Sequence, residues 1–344
     1  MAHPPQLRDN DKLELKTSLK KVNVAVLYGG RSGEHEISIR SAESVKRALS
    51  RERYHVLDLF ITQAGKWQPA PILPEPGSNP GIDVVFPLLH GTFGEDGTVQ
   101  GLLELADLPY VGAGVLGSAA SMDKAVTKRL CKEAGLPVVE HVVMSRAQFE
   151  SDQFAPPFPY PVFIKPANLG SSVGISKAND ADALHTALAL AAKYDNRIVI
   201  ERGITGREFE CSVLGGNPPK AAAPCEILPS RDFYDYEDKY ILDAAKIELP
   251  AKLNLEETQE VQRLAVACFE AVNCEGMARV DFLREGRTGR FYINEINTIP
   301  GFTSISMYPK MWEYSGIPYS ELLDTLIALA FERHSAKRQL QYAR

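Results

Sequence analysis

Arg279 and Asp281 stand two apart in Met277-Ala278-Arg279-Val280-Asp281-Phe282-Leu283, and Glu295 and Asn297 stand two apart in Phe291-Tyr292-Ile293-Asn294-Glu295-Ile296-Asn297. Alternate side chains of an extended strand share a face, so each pair points one way. A Gly-bracketed turn joins the two runs, and a hairpin centred near Thr288 sets Asp281 opposite Glu295. Three oxygen donors without sulfur or imidazole suit hard Mg²⁺, which keeps waters and substrate phosphates in its other positions. Arg279 beside them can neutralise negative charge that develops during a reaction. The alternative is a polar hairpin face held by an Arg–carboxylate pair.

A second group of residues suits polyphosphate. In Phe163-Ile164-Lys165-Pro166-Ala167-Asn168-Leu169-Gly170-Ser171-Ser172-Val173-Gly174, a lysine ends a strand and a small-residue turn follows. Such a turn exposes N–H groups and hydroxyls that wrap phosphate, with the lysine as a point charge; a plain Gly-Ser hairpin is equally compatible. Downstream, the carboxylates of Glu201, at the end of an apolar strand, and Glu208 can accept from an adenine amino group and a ribose, or simply be solvated. Near the start, Gly29-Gly30-Arg31-Ser32-Gly33-Glu34-His35-Glu36 lies at the carboxyl end of a first strand, where open α/β sheets bind ligands. Its acidic residues repel phosphate and suit an ammonium group, or serve only to favour the dipole of the helix that follows. The stretch 298–306 offers N–H groups and hydroxyls to an oxyanion or carboxylate, and the aromatic stretch 231–240 suits a lid that excludes water. Gly112-Ala113-Gly114-Val115-Leu116-Gly117 satisfies the dinucleotide pattern but follows a short, Pro-containing strand late in its segment, which favours a small-residue turn over a dehydrogenase site. His90 is expected to be structural.

These residues need a scaffold, and the chain is long enough for one. Its 344 residues and 44% hydrophobic content fit two domains or three small ones with a real core. The net charge of −6 provides no global field for nucleic acid or anionic lipid, so small-molecule partners are expected. Five cysteines without C-x-x-C spacing point to a reducing compartment, and the charged first twenty residues lack a signal-peptide core; a cytoplasmic protein without membrane spans is expected. The pattern predicts a flexible tail over 1–20, a parallel α/β domain over 21–121, a central strand-and-helix unit over 122–218 and a C-terminal unit over 219–344. The last holds a helix over 256–273, the hairpin over 277–297 and a helix over 319–333.

The ordered set of motifs resembles the D-alanine–D-alanine ligase family of the ATP-grasp superfamily, from about Lys21 to about Glu332. It comprises Tyr28-Gly29-Gly30-x-Ser32-x-Glu34-x-Glu36-Ile37-Ser38, His90-Gly91 with Gly94-Glu95-Asp96-Gly97, Ser121-Met122-Asp123-Lys124, and Lys165-Pro166 with Gly170-Ser171-Ser172-Val173-Gly174. It continues with Phe233-Tyr234-Asp235-Tyr236-Glu237-x-Lys239-Tyr240, Arg279-Val280-Asp281, and Asn294-Glu295-Ile296-Asn297-Thr298-x-Pro300-Gly301. The resemblance implies a three-domain ATP-grasp fold of α/β and α+β type. It also implies phosphorylation by ATP of one D-alanine carboxylate and attack on that acyl phosphate by the amine of a second D-alanine, for the peptidoglycan precursor.

In its terms Glu34 holds the first ammonium, Ser171 and Tyr240 bond toward Glu34 and help close the lid, and Arg279 with the Gly301 amide stabilises the tetrahedral oxyanion. Ser306 receives the second carboxylate; Lys124, Lys165, Ser172 and Lys239 serve the ATP phosphates; Glu201 and Glu208 serve adenine and ribose. Asp281, Glu295 and Asn297 ligate two Mg²⁺, with Mn²⁺ as a substitute and a monovalent cation as a further possibility; a homodimer is expected. The Lys239-Tyr240 ending resembles D-alanine rather than D-lactate specificity. D-lactate or D-serine as second substrate, and a non-catalytic nucleotide-binding protein, are the alternatives. His35 stands where many members carry Arg.

Overall fold

The apolar run Val-Asn-Val-Ala-Val-Leu-Tyr-Gly forms the central strand of the first sheet, buried on both faces because helices cover a parallel sheet. In the computed structural model, which describes residues 21–151, 154–228 and 246–342, this sheet comprises β1 (Val22–Gly29), β2 (Tyr54–Ile61), β3 (Trp67–Gln68) and β4 (Val84–Pro87) in the order β3-β2-β1-β4. β1 runs parallel to β2, from Val22 opposite Tyr54 to Gly29 opposite Ile61, and parallel to β4. The helix His35–Ala48 leaves the Gly turn after β1, so Glu34 stands at its N-terminus beside the strand ends.

The central sheet is antiparallel: β5 (His141–Ser145), β6 (Val162–Pro166), β7 (Ser176–Ala178) and β8 (Arg197–Arg202), ordered β5-β8-β6-β7. β6 and β8 pair with Lys165 opposite Val199 and Phe163 opposite Glu201. Lys165 and Glu201 therefore occupy diagonal positions on one face. The helices Val115–Met122 and Lys124–Glu133 precede this sheet, and the second is capped by Asp123, whose Oδ1 accepts from the Val126 N–H at 2.9 Å.

The third sheet comprises β9 (Gly206–Leu214), β10 (Lys220–Ala221), β11 (Cys225–Leu228), β12 (Lys246–Glu248), β13 (Met277–Glu285) and β14 (Phe291–Asn297), with β12-β11-β9-β13-β14 in sequence and β10 on β9. β9 pairs with β13 along its whole length. The third sheet thus draws on chain from both sides of the boundary expected at 218. Phe209, Val280, Phe282 and Ile293 form its core with Val261, Leu264 and Cys268 of the helix Leu255–Ala271, and Cys131 joins them from the helix Lys124–Glu133.

Two C-terminal helices complete the described chain. Met307–Tyr314, which the sequence pattern did not announce, carries Pro309 in its first turn, where a missing N–H costs nothing. Tyr319–Arg338 returns to the first sheet: Leu322, Leu323 and Leu326 share a buried core with Val24, Val45 and Phe86. The Gly112–Gly117 run serves close packing. A Cβ on Gly276 would lie 3.0 Å from the backbone of Gly112, and one on Gly117 would lie 2.6 Å from the Asn273 carbonyl oxygen. No helix among the described residues is long and apolar enough to cross a membrane.

Candidate active site

β13 and β14 meet in the register the hairpin argument requires, with Asp281 opposite Glu295 and Arg279 opposite Asn297. Arg279 grips Asp281 with both ends of its fork, Nε to Oδ1 and Nη2 to Oδ2, each at 2.7 Å. Its Nε also lies 3.4 Å from Oε1 of Glu210 on β9, a buried carboxylate directly opposite Asp281. Glu210 escaped the sequence reading because its neighbour is 71 positions away, a pairing that only the β9–β13 register creates; the Glu-Phe-Glu alternation was the available sign. On the opposite side Lys124 Nζ lies 3.4 Å from Oε2 of Glu295 and donates to the Leu169 carbonyl at 2.6 Å.

Asp281 and Glu295 line a cleft of about 460 Å³ between the second and third sheets, together with Lys165, Ser172, Glu201 and Glu208. Lys165 reaches Oε2 of Glu201 at 2.8 Å and donates to Oδ1 of Asn294 at 3.0 Å. The other Glu201 oxygen lies 2.8 Å from Nζ of Lys128, a residue that sequence reasoning did not single out. Burial would raise the Glu201 pKa, but the two ammonium groups outweigh it and hold the carboxyl at about 2. Burial likewise works to lower both lysines. At Lys165 the Glu201 carboxylate prevails and the pKa rises, whereas the more enclosed Lys128, repelled by Lys165, is shifted down.

A second, smaller hollow adjoins the cleft at Glu295 and gathers groups from all three segments: Glu34, Lys124, Ser171, Arg279 and Asn297 line it. The Ser171 hydroxyl donates to Oε1 of Glu34 in a short hydrogen bond that ties the central turn to the first helix. Glu34 makes no side-chain cap for that helix, so its carboxylate is free of that local task. Ser171 and Ser172 both hold left-handed backbone, with φ of 52° and 57°, a conformation that costs a non-glycine residue about 1 kcal/mol and concentrates at functional turns. Gly91, in the loop after β4 beside the Glu34 carboxylate, holds φ of 74°, a backbone conformation that favours glycine.

His90 takes the expected structural place. It is buried, its Nδ1 donates to the Ile299 carbonyl at 2.9 Å, and its Nε2 lies 3.0 Å from the Ser41 hydroxyl. Burial works against its charged form, but Glu95 and then Glu34 raise its pKa. His35 is buried against Phe60, with Nδ1 2.7 Å from the Gly30 carbonyl.

Gly301 and Ser306 adjoin each other, since a Cβ on Gly301 would lie 2.6 Å from Ser306 Oγ, but neither lines the two hollows. Ser306 Oγ accepts from the Thr303 N–H at 2.9 Å. Lys239 and Tyr240, with the rest of the expected lid, lie outside the described residues.

The oxygen donors fit a divalent metal. Asp281 and Glu295 face each other beside the cleft with Asn297 two residues on, and no histidine or cysteine is among the described residues that line the cleft or the hollow. Among the described residues no cluster of three or more His, Cys, Asp or Glu exists that would hold a metal without the amide or a ligand's own oxygens. A cation there would share Asp281 with Arg279, which matches a metal that arrives with a phosphate chain.

Two antiparallel sheets closing on a lysine- and carboxylate-lined cleft, preceded by a parallel α/β unit, define an ATP-grasp enzyme. The family model described as D-ala D-ala ligase N-terminus matches residues 23–75 and 73–113, and that described as D-ala D-ala ligase C-terminus matches residues 130–328. A D-alanine–D-alanine ligase of Solibacter usitatus is 64% identical over 94% of this chain and all of its own. One from Thermoanaerobacter sp. is 49% identical over 93% of this chain and 99% of its own. Among solved structures, the D-alanine–D-alanine ligase of Coxiella burnetii aligns with a TM-score of 0.82 at 38% identity, covering 93% of this chain and 97% of that one. A D-Ala:D-Ser ligase from Enterococcus faecalis aligns with a TM-score of 0.83 at 34% identity, covering 90% of this chain and 100% of that one. The chain belongs to the D-alanine–D-alanine ligase family, whose members are ATP-dependent enzymes that use a divalent metal.

Proposed function

We propose that the enzyme joins two D-alanines into D-alanyl-D-alanine for the peptidoglycan precursor, with release of ADP and phosphate. The observation that carries this reading is the convergence of Glu34, Ser171 and Arg279, one from each segment, on a hollow that shares Glu295 with the larger cleft. In this reading the first amino acid binds beside Glu34 with its carboxylate toward ATP in the cleft.

Glu34 pairs with the ammonium of the first D-alanine, and Ser171 orients Glu34. One carboxylate oxygen of that D-alanine attacks the γ-phosphorus, and the bond to the bridging oxygen breaks, so ADP leaves and D-alanyl phosphate forms. Lys124 and Lys165 hold the phosphate oxygens while charge redistributes, which is where most of the acceleration in phosphoryl transfer arises. The amine of the second D-alanine, after losing a proton to solvent, attacks the acyl carbon. In this reading Arg279 and the Gly301 amide stabilise the resulting oxyanion; the carbon–oxygen bond to phosphate then breaks, and the second proton of the attacking nitrogen leaves with the phosphate.

Asp281, Glu295 and Asn297 would hold two Mg²⁺, or Mn²⁺, which neutralise and orient the ATP phosphates. Glu201 and Glu208 serve adenine and ribose, Ser172 the phosphates and Ser306 the second carboxylate; Glu201 also orders the two lysines beside it. Lys239 and Tyr240 belong to the lid in this reading, and a cytoplasmic homodimer with a possible monovalent-cation requirement completes it.

Phosphate release from ATP and Mg²⁺ tests the proposal. Turnover should require D-alanine and yield the dipeptide; equal turnover without it, or with L-alanine, contradicts the reading. Offering D-serine and D-lactate as second substrates distinguishes the dipeptide ligase from its relatives.

A further inference from the structure

Lys128 is buried behind the cleft and lines neither the cleft nor the smaller hollow. It stands one turn beyond Lys124 on the helix Lys124–Glu133, so both side chains project from one face. Lys124 reaches forward to Glu295 and the Leu169 carbonyl. Lys128 reaches Oε1 of Glu201 at 2.8 Å, while Lys165 holds Oε2 at the same distance. Lys128 Nζ also lies 3.4 Å from the Asn294 carbonyl, next to the Asn294 amide oxygen that accepts from Lys165. Ala125, Ala167 and Val199 form a small buried cluster that seals this side from solvent.

A carboxylate beside a single phosphate-binding lysine would cancel the charge the phosphates need. With a second lysine on the far oxygen, the buried set of Lys128, Glu201 and Lys165 carries one net positive charge, and Lys165 and Glu201 border the cleft while Lys128 stands behind them. In a poorly solvated interior such a charge acts over several ångströms with little screening.

We propose that Lys128 is a positioning residue for ATP: as the second counter-ion of Glu201, it leaves the charge of Lys165 available to the nucleotide's phosphates. The inference rests on the reading that ATP occupies this cleft. It makes affinity depend on the net charge of the set rather than on the presence of Lys128 as such. Glu208 and Glu295, which also act on Lys165, are unchanged in every variant below.

The test compares ATP and adenosine binding by calorimetry, on the full chain with Mg²⁺, for wild type, Lys128→Met, Lys128→Gln, Lys128→Arg and the pair Lys128→Met with Glu201→Gln. Both neutral single variants should weaken ATP about tenfold or more, the scale of roughly 1.4 kcal/mol, and leave adenosine within about twofold. Lys128→Arg should retain ATP affinity. The double variant, again with one net positive charge, should recover most of the loss. Equal weakening of ATP and adenosine, unchanged ATP affinity in the neutral variants, or a double variant no better than Lys128→Met would each overturn the inference. A wild-type protein that binds adenosine and ATP equally would overturn the nucleotide reading of the cleft, and the inference with it.

Discussion

Arg279 is already bound to Asp281 by two hydrogen bonds, so its fork is rigid before substrate arrives. Rigid, preorganised donors contribute most where charge develops. Arg279→Ala should therefore lower kcat by about 10²–10³-fold while changing the KM for ATP much less; steady-state kinetics checks it, and a pure KM effect contradicts the role. Arg279→Lys should recover little, because an ammonium cannot hold Asp281 at two points. Glu201 gives a pH prediction. Its folded pKa of about 2 lies below the roughly 4.3 of an unfolded glutamate, so its stabilising effect is present above about pH 4 and lost as pH falls toward 2. Denaturant melts of wild type and Glu201→Gln should differ most near neutral pH and converge in acid. At this scale the sequence was informative where chemistry follows local spacing, as for Asp281 and Glu295, and mute where it follows distant pairing. Glu201 was legible as a cleft residue, but nothing near it in sequence reveals the two lysines that close on its oxygens.

Among elements, the hairpin of β13 and β14 was legible because alternation and a Gly-containing turn fix its register locally. The partnership of β9 with β13 was not, since the two strands lie far apart in sequence and no local spacing links Glu210 to Asp281. The helix Met307–Tyr314 was hidden by Pro309 and by its brevity. The helix Leu255–Ala271 starts with a capping box, in which Asn254 accepts from the Glu257 N–H at 2.9 Å and Glu257 accepts from the Asn254 N–H at 3.1 Å. It packs behind the third sheet, and none of its residues lines the cleft. Asn254→Ala should lower stability by about 1 kcal/mol in a denaturant melt and leave kcat and both KM values unchanged. The turn at Ser171 and Ser172 behaves oppositely. Ser171→Gly relieves a left-handed residue but removes the hydroxyl that orients Glu34, so the KM for D-alanine should rise without loss of stability.

Across the whole molecule, the sequence pattern divided the chain into three segments, and the cores of the described sheets draw on more than one of them. The last helix buries Leu322 and Leu326 against the first sheet, and Cys131 enters the core of the third. Leu326→Ala should cost about 2–5 kcal/mol, and calorimetry should show the first and third segments melting together rather than in separate steps. The net charge of −6 acquires a local meaning, because the useful cations Lys124, Lys165 and Arg279 sit at the meeting point of the segments, with Lys128 behind them. In the proposed reaction that meeting point passes an oxygen from an amino acid to a phosphate. D-alanine labelled with ¹⁸O in its carboxylate tests this directly. Mass spectrometry of the released phosphate should find one carboxylate oxygen transferred for each dipeptide formed; dipeptide accompanied by unlabelled phosphate would contradict the acyl phosphate route.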